Sequence, residues 1–363
     1  MNLFPNIEKA YSQDTLSARE AQRLAEFIAF GPIVFQTSRL MLKFGLLDLL
    51  RDGDKTQRQL VDATGLSEYA VKVLLEASLS IGTVKIDPKT DLYSLSKTGW
   101  FLITDPATRA NIDFNHDVNY EGFFHLEEAL KEGKPEGLKH FGPWPTIYEG
   151  LSSLPKQVQD SWFGFDHFYS DHSFAEALPI VFAGKPRRIM DVGGNTGRFS
   201  QQCVAYDLDV EMTIVDLPQQ IGLMKEATKD DPNANRIHGF GTNLLDEGNG
   251  FPLDLHPDVI WMSQFLDCFS EPQILSILQR AAKVMDGNTR LLIMETFWDR
   301  QKYEPAAFCL TMTSLYFTVM ANGNSKMYHS DDFIKLVKEA GLEVETIHDG
   351  LGQGHSIMVC KKK

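Results

Sequence analysis

The chain has 363 residues, 43% hydrophobic and 11% aromatic, which is enough for two domains around a large core. A formal net charge of −14 leaves no basic face for a phosphate backbone, so a nucleic-acid partner is not expected. No secretory leader pattern opens the sequence and no apolar run approaches a membrane span, so a cytoplasmic location without a membrane partner is expected.

Residues 1–105 read as helices followed by a winged helix-turn-helix. The amphipathic segment Ala21 to Phe44 comes first, then Thr56 to Gly65, where Gly65 marks a turn. Ser67 caps a helix whose apolar positions are Val71, Leu74, Leu75 and Leu79. Thr83–Ile86 and Leu92–Leu95, joined across Asp87-Pro88-Lys89-Thr90-Asp91, read as the wing hairpin. The outline is that of a DNA reader, and charge decides against it. Residues 1–100 carry 12 Lys and Arg against 12 Asp and Glu, and the recognition helix would offer only Lys72 beside Glu68 and Glu76.

Residues 106–175 are rich in aromatics, among them Tyr120, Trp144, Trp162 and Phe168, and are broken into short helices at Lys134-Pro135 and Gly142-Pro143. They form either an apolar helical layer or, in part, the lining of a site for a flat acceptor.

From 176 to 363 strand and helix alternate, with strands at Ile189–Val192, Met212–Val215, Val259–Met262, Leu291–Met294 and Ser356–Cys360. This predicts an α/β, Rossmann-like doubly wound and mostly parallel sheet that binds ligands at the carboxyl ends of its strands. The first strand runs into Asp191-Val192-Gly193-Gly194-Asn195-Thr196-Gly197. Glycines there permit positive φ and a close backbone approach. No Lys-Ser/Thr pair follows Gly197, which excludes a P-loop. Asp191 would repel a pyrophosphate but suits a ligand with a positively charged amino-acid end, and Asp216, closing the next strand, suits a ribose. S-adenosylmethionine has both. The scattered Cys203, Cys268, Cys309 and Cys360 lack CxxC spacing and read as reduced thiols, with no metal site expected.

These motifs resemble the plant-type and bacterial small-molecule O-methyltransferase family. Its Asp-Val-Gly-Gly-x-x-Gly, Val-Asp-Leu-Pro and Gly-Asp-Phe-Phe-like patterns correspond to Asp191–Gly197, Val215–Pro218 and Thr242-Asn243-Leu244-Leu245. The resemblance implies S-adenosylmethionine as cofactor, with S-adenosylhomocysteine as product. It implies an N-terminal, mainly helical winged-helix domain that dimerises the protein, and a small-molecule acceptor. Cofactor contacts are then expected from Asp191, Gly193, Gly194, Asn195, Gly197, Asp216, Leu217, Asn243, Leu244, Ser263 and Phe269. Asn195 tolerates the left-handed turn where the family often has Gly. Phe165 and Tyr169 fall near a substrate-contacting stretch of the family, and Met312 and Tyr316 lie on its acceptor helix. They belong to a stripe, Phe308, Met312, Tyr316 and Met320, that core or dimer packing would also explain.

The family's general base, a His, falls on Asp267, and one of its orienting carboxylates falls on Glu295; the other falls on Met327. Asp267 and Glu295 are therefore the candidates for polar roles at the transferred methyl. A phenol of pKa about 10 facing a carboxylate of pKa about 4 disfavours complete proton transfer by about 8 kcal/mol. Three routes are open: an Asp267 with its pKa raised by burial, another His such as His329 or His167, or an acceptor that attacks unaided in a site that positions it. The expected function is methyl transfer to a small aromatic acceptor at oxygen. The alternatives are a cofactor-binding protein without transfer and a ligand-responsive DNA-binding regulator.

Overall fold

The computed structural model describes residues 3–363, which fall into two compact units, 14–117 and the remainder. In the smaller unit the segment Ala21 to Phe44 is two helices, Ala18–Ala29 and Gly31–Lys43. Pro32 in the first turn of the second helix has no N–H to continue a helical ladder, so the chain breaks at Phe30 and restarts. The first helix opens with a capping box between Ser17 and Glu20 and buries none of its residues. Gln57–Thr64 and Glu68–Ile81 follow, capped by Thr56 and Ser67, and each ends on a left-handed glycine, Gly65 or Gly82. Strands β1 (Val84–Asp87) and β2 (Leu92–Leu95) pair antiparallel as the wing. Met41, Leu46, Leu60, Val71 and Leu75 form the core of this unit.

The larger unit holds a seven-stranded sheet made of β3 (Arg188–Val192), β4 (Glu211–Asp216), β5 (Ile237–Gly241), β6 (Val259–Ser263), β7 (Arg290–Glu295), β8 (Leu342–Leu351) and β9 (His355–Lys362). Their order is β5-β4-β3-β6-β7-β9-β8, parallel except for β9, which is antiparallel to both β7 and β8. The strand order runs outward from β3 to β4 and β5 on one side and to β6 and β7 on the other, which makes the gap beside β3 the topological switch point. Register sets Val192 beside Val215 and Met262, so the carboxyl ends of β3, β4 and β6 finish together. The strands buried on both faces are the apolar runs that the sequence shows. The extra strands β5 and β8 are sheet edges with mostly exposed residues, and so lack an apolar signature.

Residues 106–175 do not consist of short helices throughout. One continuous helix, Lys156–Val181, runs through residue 175 and buries Phe174, Ala177, Leu178 and Val181. The spaced stripe is also divided. Phe308 and Met312 on helix Glu304–Tyr316 are 54% and 47% exposed, whereas Tyr316 and Met320 are buried. Four-residue steps overshoot the 3.6-residue helical turn, and a π-helical turn, Phe317–Ala321, shifts the register further.

Under the sheet the indole of Trp261 on β6, with no exposed surface, stacks on Phe199 at 4.6 Å. Trp261→Ala leaves a cavity beneath the central strands and is expected to destabilise the larger unit by about 3–5 kcal/mol, measured as a shift in its urea unfolding midpoint. An unchanged midpoint would place the weight of the core elsewhere.

Candidate active site

The turn after β3 is a sequence of left-handed residues: Gly193 at φ 75°, Asn195 at 49° and Gly197 at 83°. Gly193 has no room for a side chain, since a Cβ there would lie 2.4 Å from the ring of Phe265. Its N–H donates to the Val215 carbonyl over 2.9 Å, which joins the turn to β4. Asp216, closing β4, accepts from the Asn195 N–H at 2.9 Å and the Leu217 N–H at 2.7 Å. Each carboxylate oxygen keeps lone-pair capacity for a further donor. Burial raises its pKa and these two bonds lower it.

Asp191 is 2% exposed and lies behind the turn, accepting from the Ser200 hydroxyl at 2.7 Å and packing against Gly194. Burial pushes its pKa up to about 7. Its role by geometry is to shape the turn. Asn243 is exposed, and its amide oxygen accepts the Leu245 N–H at 2.9 Å in a local turn. The oxygen expected to meet an adenine amino group gives one of its two lone pairs to this turn. Leu244 beside it is part of the core. Ser263 ends β6, and Phe269 meets Phe265 edge to face at 4.8 Å.

Beyond β6 the chain turns at Gln264, which takes φ 44°, into a short turn at Leu266–Cys268. Glu295, the last residue of β7, holds this turn by accepting the N–H groups of Phe265 at 3.2 Å and Leu266 at 2.9 Å. The Asn322 side chain donates to the Cys268 carbonyl at 2.6 Å, and the Tyr328 hydroxyl to that of Phe269 at 2.6 Å. Asp267, only 5% exposed, is carried on this turn, and burial raises its pKa to about 6. The carboxyl of Glu295 is raised well above the ordinary range by burial and by Asp267. Above the turn stand Tyr148, whose buried hydroxyl is near the Cys268 thiol, and Tyr316, which accepts the Trp162 indole N–H at 2.7 Å.

The structure also brings in a carboxylate that the sequence reading missed. Asp166, on helix Lys156–Val181, is an electrostatic neighbour of Asp267, and burial and that charge push its pKa up to about 7. Its only sequence signal is an acid in an otherwise aromatic helical run. Phe165 and Tyr169 stand on the same helix with ring centroids 5.0 Å apart. His329 does not join this cluster: it is buried as a helix cap, its Nδ1 accepting the Asp331 N–H at 3.0 Å and its ring lying against Trp298. Among the described residues no His, Cys, Asp and Glu group could hold a metal, and no helix is long and apolar enough to cross a membrane.

A doubly wound sheet with a glycine turn at its switch point, in a chain with a separate, mainly helical unit, defines the class of a two-domain α/β protein that binds its ligand at the strand ends. Residues 22–93 match the Dimerisation2-like domain and residues 166–343 the O-methyltransferase domain. The chain carries a Dimerisation2-like domain followed by an O-methyltransferase domain, and its homologues are S-adenosylmethionine-dependent O-methyltransferases. Demethylspheroidene O-methyltransferase of Rhodobacter capsulatus is 23% identical over 337 residues, covering 92% of this chain and 80% of that protein. Among solved structures, the apo form of the S-adenosylmethionine-dependent methyltransferase SibL superposes with a TM-score of 0.70 at 20% identity, covering 93% of this chain and 98% of that one. Mitomycin 7-O-methyltransferase MmcR does so with 0.69 at 19% identity, covering 94% and 98%.

Buried acids with raised pKa values bind more protons folded than unfolded between about pH 4 and 7, so their contribution to stability falls as pH rises through that window. Asp191→Asn removes one such group. Its Tm relative to the parent is expected to climb between pH 5 and 8 in a thermal scan, and a falling difference would contradict the burial argument.

Proposed function

We propose that the chain transfers a methyl group from S-adenosylmethionine to the oxygen of a small aromatic acceptor, and that it works as a homodimer through the unit 14–117. When bound, the cofactor supplies an electrophilic methyl carbon on a positively charged sulfur. Gly193, Gly194, Asn195 and Gly197 form the cradle for it, with Asp216 accepting ribose hydroxyls, Leu217 and Phe269 flanking the base, and Ser263 at the strand end. Asp191 acts indirectly, through the shape of the turn. Asn243 and Leu244 border the adenine end.

The observation that carries the reading is the meeting of Gly193, Asp216 and the Asp267 turn at the carboxyl ends of adjacent strands. An acid-lined site also suits a sulfonium, since the net negative charge of the surroundings stabilises a cation there. Phe165, Tyr169, Tyr316 and the half-exposed Met312 are the acceptor-side residues, apolar with few polar anchors as such sites are.

Asp267 is the proton acceptor and Glu295 fixes its position. With Asp267 at about 6, the mismatch with a phenol falls to about 5 kcal/mol at about 1.36 kcal/mol per unit. Alignment of acceptor and methyl carbon can supply about 7–11 kcal/mol. Positioning is therefore the larger effect and the raised Asp267 the smaller. For the dimer, Leu24, Phe27 and Ile28 on helix Ala18–Ala29, Phe30 at the break and Ile33 on helix Gly31–Lys43 are exposed, and a second copy would cover them.

Incubation with methyl-labelled S-adenosylmethionine and a panel of phenols is expected to move label to at least one acceptor. Binding of S-adenosylhomocysteine without transfer to any would favour a cofactor-binding protein that does not methylate. Two charge-assisted hydrogen bonds are lost in Asp216→Ala, each about 1.5–3 kcal/mol at most, so affinity for S-adenosylhomocysteine should drop by at least about tenfold in calorimetry. Gly193→Ala, facing both a clash and positive φ, should abolish that binding while circular dichroism stays unchanged; retained binding by either variant contradicts the assignment. Light scattering should report twice the mass of one chain.

A further inference from the structure

Position 327, where the resembled motif carries its second orienting carboxylate, is Met, and its sulfur accepts the Thr296 hydroxyl at 3.5 Å. The loop around it nonetheless reaches the turn that carries Asp267, by other residues. Helix Glu304–Tyr316 runs into the π-helical turn Phe317–Ala321, and the N–H groups of Asn322 and Gly323 close it by donating to the Phe317 carbonyl at 3.1 and 2.9 Å. The Asn322 side chain then has two tasks. Its oxygen accepts the N–H groups of Asn324 and Ser325, both at 3.1 Å, which folds the loop back on itself. Its amide N–H donates to the Cys268 carbonyl at 2.6 Å. Further along, the Met327 N–H donates to the Ser314 hydroxyl on the same helix at 3.1 Å, and the Tyr328 hydroxyl donates to the Phe269 carbonyl at 2.6 Å. Cys268, whose carbonyl Asn322 holds, also turns its thiol to Asp267, donating to Oδ1 at 3.5 Å. Hydrogen bonds of 3.1, 2.6 and 3.5 Å thus lead from the end of the helix carrying Tyr316 to the Asp267 carboxylate.

We propose that Asn322 and Tyr328 are positioning residues for Asp267: they fasten its turn to the acceptor-side helix and so place the carboxylate against the acceptor hydroxyl. Their role rests on the methyl-transfer reading above, with Asp267 as the proton acceptor. Glu295 holds the N–H side of the turn from the sheet, at Phe265 and Leu266. Fastened there alone, the turn could swing about those two bonds. Asn322 and Tyr328 hold its carbonyl side, at Cys268 and Phe269, and they belong to the loop that continues the helix of Tyr316 and Met312. Gly323, at φ 87°, presses that loop against a third segment, since a Cβ there would lie 2.4 Å from the backbone of Lys134. Neither positioning residue touches the proton. Each acts by restricting where Asp267 can stand, and a displacement of about 1 Å at reacting groups can cost about 10²-fold in rate.

Two variants test this with methyl-labelled S-adenosylmethionine and a phenol acceptor at pH 8, where Asp267, at about 6, is ionised. Tyr328→Phe removes one hydroxyl and keeps the ring. Asn322→Asp keeps the oxygen that Asn324 and Ser325 need and loses the donor to Cys268. Expected are falls in kcat of about threefold or more in Tyr328→Phe and about tenfold or more in Asn322→Asp, with acceptor KM and S-adenosylhomocysteine affinity within about twofold of the parent. The deciding comparison repeats both substitutions in Asp267→Asn. Residual transfer there, about 10²–10⁴ below the parent, is within reach of label incorporation over hours. Residues that act through the Asp267 carboxylate cost little more once it is gone, so the losses should not add. A loss by the same factor in both backgrounds marks a merely structural role and overturns the assignment, as does a parental kcat in both variants. Should Asn322→Asp fail to fold, Tyr328→Phe decides by the same comparison. Asp267→Asn with parental kcat overturns Asp267 as the proton acceptor, and its positioning residues with it. Binding of S-adenosylhomocysteine without transfer to any phenol overturns the methyl-transfer reading as a whole.

Discussion

The contact of Gly193 with the ring of Phe265 sets the spacing of the whole site. Because Gly193 has no side chain, the turn after β3 and the turn after β6 come within van der Waals reach. Phe265 then passes the constraint on: its N–H, with that of Leu266, is held by Glu295 at the end of β7. One short path, Gly193 to Phe265 to Glu295, ties three strand ends together and delivers Asp267 on a turn that Asn322 and Tyr328 also grip from its carbonyl side. The glycine turn and the acid-bearing turn are thus parts of a single corner.

That corner concentrates negative charge where water is scarce. Asp191 and Asp216 lie on the β3 and β4 side, and Asp166, Asp267 and Glu295 on the acceptor side; burial raises all five. Their hydrogen bonds differ, and so do their tasks. Asp191 has a hydroxyl donor and sits behind the turn, Asp216 has two backbone donors at its front, and Glu295 spends one oxygen on the turn itself. Raised carboxyl pKa values cost stability near neutral pH and are retained where function requires a charge or a base. A sulfonium bound nearby would relieve the repulsion, so ligand binding and the ionisation of these groups are linked.

In the proposed reaction Asp267 takes the place that an imidazole has in the resembled motif. Burial brings Asp267 nearer to the basicity of an imidazole. The change of side chain is thus partly offset by a change of medium, and the bulk of the barrier is left to alignment.

Much of this architecture is written locally in the chain. The apolar runs at Ile189, Met212, Val259 and Leu291, the glycine turn, the closing Asp216 and the capped helices at Ser67 and Thr56 are decided by residues within a few positions of one another, so their order and spacing determine the doubly wound sheet, the winged helix and the nucleoside-type site. Tertiary structure alone decided the rest, because it depends on groups far apart in sequence. Edge strands β5 and β8 exist by pairing with neighbours, without an apolar code of their own. Asp191 and Asn243 have hydrogen bonds that only the folded turn reveals, one turned inward to Ser200 and the other spent on Leu245. Asp166 and Asp267 stand a hundred residues apart in the chain, and the raised basicity of both carboxylates follows from how much water the fold excludes, a quantity with no local signature.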